Sequence, residues 1–171
     1  MKKTKFPKAE TTTRKKVVNR TQEWYLNEFY DKYGVRLVSD EEEIDLTAPP
    51  KGNGLFIAKD ISAITFNKCN KLTMSIPMNQ VKELVPKMPE LTYLGLIFCK
   101  LGRFFLRWHA FKNLEILDLT GNDINKAESA FGVKNLPNLK TLILSENPIC
   151  RNLEERAKLK DHLNNIEIIF D

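Results

Sequence analysis

The chain has 171 residues, 42% of them hydrophobic and 29% charged, with a formal net charge of +5. That length supports one core with a small appended element, and no apolar run approaches the roughly 18–20 residues of a spanning helix. Three cysteines and two histidines, with no CxxC or CxxH spacing, speak against a disulfide framework, a zinc site or any other cofactor.

The opening MKKTKFPKAETTTRKK is basic but has no apolar segment behind it, so no secretory leader is expected. A nuclear or cytoplasmic protein is expected instead, with the nucleus favoured. Charge is unevenly spread: residues 1–20 hold eight Lys or Arg and one Glu, residues 21–50 two basic and eight acidic side chains. Residues 1–20 therefore read as a basic, disordered arm. Its Lys2, Lys3, Lys5, Lys8, Arg14, Lys15, Lys16 and Arg20 are solvated in the plainer reading and contact nucleic acid in the sharper one.

Residues 21–54 form the next unit. Thr21 is a cap and Gly34 a stop for a helix over QEWYLNEFYDKY, whose aromatic face needs burial on the body or on a partner. GVRLV at 34–38 alternates like a short strand. SDEEEID at 39–45 reads as a solvated acidic loop, and TAPPKGNG at 47–54 as a linker.

From residue 55 to 171 one phrase recurs. NLEILDLTGNDI at 113–124 returns as NLKTLILSENPI at 138–149, and both fit the template LxxLxLxxNxL. LTYLGLIFCKL supplies a copy with Cys99 in the Asn place, and ISAITFNKC a looser one ending at Cys69. Each copy buries its alternating leucines in a shared core while Asn bonds the turning backbone. No copy can bury its apolar face alone, so the fold expected is α/β: a leucine-rich repeat solenoid of about four repeats with a parallel concave sheet. The aromatic helix would cover one end. A cap from about residue 147, with a helix from about Asn152 to Leu163 and a strand over Ile166, Ile168 and Phe170, would close the other and finish the fold at Asp171.

MPELTYLGL, NLEILDLTGNDI and the tail NPICRNLEERAKLKDHLNNIEIIFD are similar to the capped repeats of intracellular leucine-rich repeat proteins. That group includes the spliceosomal U2 A-prime protein and the leucine-rich repeat domain of nuclear RNA export factors, which it resembles most, over residues 61–171. The resemblance implies a nuclear ribonucleoprotein or RNA-export setting. Export factors carry an RNA-recognition domain before the repeats, and residues 1–60 show no such pattern here.

Catalytic equipment is sparse: there is no G-x-S-x-G and no phosphate-binding glycine loop. A Cys99–His109 nucleophile pair is weighed against Cys99 filling an Asn slot, and the slot is preferred. Binding is the expected function, through side chains between the core leucines that would face the concave surface. These are Thr65, Asn67 and Lys68, then Tyr93, Ile97 and Phe98, then Glu115, Ile116 and Asp118, then Lys140, Ile143 and Glu146. The expected partner is a protein. RNA held by the arm, or an adaptor role of the phosphatase or cytoskeletal type, are the alternatives. Phe104, Phe105, Trp108 and Phe111 are expected as core beneath the convex side, with RNA stacking beside Arg103, Arg107 and Lys112 as the minor alternative.

Overall fold

The computed structural model describes residues 20–47, 56–84, 86–104 and 108–171, without the side chain of Trp108. Six short strands follow one another: β1 Glu43–Leu46, β2 Lys71–Met74, β3 Tyr93–Leu96, β4 Ile116–Asp118, β5 Thr141–Ile143 and β6 Glu167–Ile169. They form one parallel sheet in chain order. Parallel neighbours need a return connection. Here the returns run through the helices α2 Ala58–Ala63 and α3 Leu153–His162, and through 3-10 segments such as Met78–Glu83 and Ala127–Asn135.

Ile44, Leu72, Leu94, Leu117, Leu142 and Ile168 are register partners across all six strands. The first five are buried, as are Leu46, Met74, Leu96, Leu119 and Leu144 at or just past the strand ends. This face meets Ile61 of α2, Val81, Ala127, Ala130, Val133 and Leu159 of α3 in one continuous core. Burial of alternate aliphatic side chains is the main stabilising term, at about 25 cal/mol per Å² of apolar surface.

The chain leaves β3, β4 and β5 by matching turns. Phe98, Gly121 and Glu146 each take a left-handed backbone, with φ of 51°, 68° and 58°. The next residues are Cys99, Asn122 and Asn147, all buried. Asn122 Oδ1 accepts the Cys99 and Leu101 N–H groups, both at 3.0 Å, while its amide donates to the carbonyls of Leu96 and Leu119. Asn147 repeats this one strand later, accepting from Ile124 N–H at 3.0 Å and donating to Leu119 and Leu144. Cys99 takes the same station with a weaker group: its Sγ accepts the Ile76 N–H at 3.4 Å.

The helix α1, Gln22–Tyr33, starts at Thr21, whose hydroxyl accepts the Trp24 N–H, and ends at Gly34 with φ 73°. It is fastened to the body by polar and aromatic contacts together. Gln22 bonds both the carbonyl and the N–H of Thr65. The Tyr33 hydroxyl donates to Asp60 at 2.6 Å and accepts the Ile57 N–H. Phe29 stacks on Phe56.

Several expectations are corrected. Residues 34–38 form no strand; the first strand lies instead inside the acidic run, where Ile44 and Leu46 alternate inward between exposed Glu43 and Asp45. ISAITF is not a strand: Ala58–Ala63 is helical, burying Ala58 and Ile61 one turn apart, and the sheet strand follows at Lys71–Met74. A short apolar run fits either period, and tertiary burial decides. In α3, Leu153 and Ala157 are exposed, and Leu159 carries the inward face with Leu163 just beyond it. Phe111 is buried and Phe104 half-buried, while Phe105, Arg107 and the Trp108 ring lie outside the described residues. So do Lys2, Lys3, Lys5, Lys8, Arg14, Lys15 and Lys16. Arg20 is described, with its guanidinium 3.8 Å above the Trp24 ring.

Candidate docking face

Two rows of side chains stand on the face of the sheet opposite the core. Glu43, Lys71, Tyr93, Ile116, Thr141 and Glu167 are partners in one row, and Asp45, Thr73, Gly95, Asp118, Ile143 and Ile169 in the other. Apart from buried Gly95, all are half-buried or exposed. The strand period of two places them there once the alternate residues go inward.

Polar groups on this face hold one another in place. Lys71 Nζ lies 3.0 Å from Glu43 Oε2 and 5.6 Å above the Tyr93 ring. The Tyr93 hydroxyl donates to Asp118 Oδ2 at 2.7 Å, and Asp118 Oδ1 accepts both the N–H and the hydroxyl of Thr120. Burial, and then the Asp118 carboxylate that accepts its proton, push the Tyr93 phenol well above its ordinary value. Tyr93 is thereby fixed as a neutral, oriented ring. At the entry to the strands, Lys140 and Glu115 pair at 2.8 Å.

Between these groups the face is apolar. Ile116, Ile143 and Ile169 lie half-buried on three adjacent strands beside Tyr93. Gly95 leaves the middle at backbone level: a Cβ there would come within 3.0 Å of Thr73 Cγ2. The result is an apolar patch with Asp118 in its midst and Glu43, Asp45 and Glu167 on the edge strands.

The sheet brings together Tyr93, Ile116, Asp118 and Ile143 as expected of a common face, with Glu115 and Lys140 one step before their strands. Ile97 follows β3, half-buried. Phe98 and Glu146 stand in the turns, where Phe98 is 58% exposed and lines a recess with Gly121, Asp123 and Arg151. Thr65, Asn67 and Lys68 are not on the six-stranded sheet: Thr65 makes an isolated bridge with Lys87, and Lys68 lies 3.9 Å from Asp40. The outward residues of β1, β2 and β6 were not foreseen: EIDL and KLTM alternate, but over only two apolar positions each.

Cys99 is buried against backbone groups, and its thiol is pushed up by that burial. An activated nucleophile needs the opposite shift. His109 is exposed and lines a surface recess of about 520 Å³ with Thr65, Pro89 and Lys112. Among the described residues no group of three or more His, Cys, Asp or Glu side chains is placed to hold a metal ion. No described helix is long and apolar enough to cross a membrane. No protein-family model matches the chain, and no curated protein matches it significantly.

Proposed function

We propose that this chain is a non-catalytic scaffold, built as a leucine-rich repeat solenoid, that docks a protein partner on the outward face of its sheet. The observation that carries the reading is the cluster of Tyr93, Ile116, Ile143 and Ile169 on a face that ordinarily alternates to polar residues. Supporting the solenoid are the matching turns with Asn122, Asn147 and Cys99 at equivalent stations. The sequence resemblance to spliceosomal and RNA-export proteins gives the setting, a nuclear ribonucleoprotein or export assembly.

The test is affinity recovery from native extract with the full chain and with an Ile116→Asp/Ile143→Asp variant, each with and without nuclease. A protein lost in the variant and indifferent to nuclease supports docking on this face. Recovery unchanged by the variant but abolished by nuclease would replace it with nucleic-acid binding elsewhere on the chain.

A further inference from the structure

The charges on the docking face run against those of the chain. Glu43 is neutralised by Lys71 and Glu115 by Lys140. Asp45, Asp118 and Glu167 remain, and among the described residues none of the three has a Lys or Arg within 4 Å. The face is thus net −3 on a chain of net +5. Thr47 and Thr120 donate to Asp45 and Asp118, which orients both carboxylates without cancelling their charge.

Building on the docking reading, we propose that the occupant is a basic segment of a partner protein, with Lys or Arg side chains on Asp45, Asp118 and Glu167 and an aliphatic or aromatic anchor on Ile116 and Ile143. Asp45 and Asp118 lie in one row on β1 and β4, and Glu167 in the other on β6. With strands about 4.8 Å apart, the carboxylates span about 24 Å, or seven to eight extended residues. The same charge opposes a phosphate backbone, because nucleic acid binds by exchanging counterions for cationic side chains. Ile116 on β4 and Ile143 on β5 lie beside Asp118 and between the edge strands, so the segment meets apolar surface and one carboxylate midway and Asp45 and Glu167 towards its ends. Complementary charge of this kind steers the encounter and sets its register.

The experiment selects phage-displayed random twelve-residue peptides on the immobilised full chain. Enriched peptides are expected to carry two or more Lys or Arg around an apolar residue. A synthetic copy of the leading peptide should lose about tenfold in affinity on Asp45→Asn/Asp118→Asn/Glu167→Gln, and several-fold on unaltered protein when salt is raised from about 0.05 to 0.5 M. An Asp45→Asn/Glu167→Gln variant, which leaves the Tyr93–Asp118 bond intact, should show an intermediate loss and so separates charge from folding. No enrichment, enrichment of acidic or neutral peptides, or equal binding by the triple variant overturns the proposal. Peptides lost on Ile116→Asp/Ile143→Asp but kept on the charge variants would leave docking standing and remove the basic occupant; peptides kept on both remove the two together. If replacing the seven Lys and Arg of residues 1–19 by Gln opens the face to peptides the unaltered chain refuses, the occupant is the chain's own arm and the partner is overturned.

Discussion

The Phe98 ring lies over the α-carbon of Gly121, in the space that any side chain at Gly121 would enter. Both residues are left-handed, so the pair joins two successive turns by ring-on-backbone contact. Gly121→Ala therefore meets two penalties, overlap with the ring and about 1 kcal/mol for an L-residue at φ 68°. A total of about 1–2 kcal/mol is expected in urea unfolding, because the ring is 58% exposed and can swing aside. Phe98→Ala in the same chain should recover the overlap part and leave the backbone part, a coupling that a double-mutant cycle reads directly.

Asn122 and Asn147 should be far more costly to truncate than their size suggests. Asn147→Ala strands the Ile124 N–H in a buried turn, and Asn122→Ala strands the N–H groups of Cys99 and Leu101. Each unsatisfied group costs about 1–3 kcal/mol. Cys99→Ala strands only the Ile76 N–H, which sulfur already holds weakly at 3.4 Å, and should cost less than either Asn change. Urea midpoints of the three variants, measured together, test the order.

Thiol chemistry should follow burial. Cys69 is fully buried, and that burial pushes its thiol up to about 11, whereas Cys150 is half-buried. At pH 8 a thiol of that value holds roughly a hundred-fold less thiolate than one at 9.0. Iodoacetamide on the native protein should label Cys150 first and leave Cys69 and Cys99 until unfolding, as peptide mapping by mass spectrometry would show. Early labelling of Cys99 would contradict its place in the turn.

The protein should weaken in alkali. Cys69 is raised from 9.0 to about 11 and Tyr93 is raised from 10.0, so both favour the protonated folded state. Their contributions are complete below the unfolded values and are lost as pH climbs through the folded ones. Stability should fall from about pH 9 to 11 through Cys69, and from about pH 10 upward through Tyr93. Tyr93→Phe should cost about 1 kcal/mol at neutral pH through the lost bond to Asp118 and show a shallower alkaline decline. Urea midpoints taken at several pH values compare the two slopes.

Residues that repeat were easy to read, because Leu117 with Leu119 and Leu142 with Leu144 stand beside an Asn whose bonding needs are distinctive. From them came Tyr93, Ile116, Asp118 and Ile143 of the face. The amino-terminal strands were illegible for a physical reason. β1 offers only Ile44 and Leu46 among acidic neighbours, and β2 only Leu72 and Met74, too few apolar positions to fix a period. Ile61, Ile64 and Phe66 suit a strand as well as a helix end, and placing the strand there moved the expected face onto Thr65, Asn67 and Lys68. Charge pairing across strands, which makes Asp45 and Glu167 matter, requires a register that no single strand reveals.

Sulfur at position 99 makes the molecule uneven along its length. The N–H groups of Leu101 and Ile124 are held by amide oxygens at 3.0 Å, but that of Ile76 rests on a thiol at 3.4 Å. The turn between β2 and β3 thus has the weakest of these bonds, and amide exchange at Ile76 is expected to outrun that at Leu101 and Ile124. Were that turn to give way first on heating, β1 and Asp45 would go with it, and the sheet surface would lose reach before the protein melts.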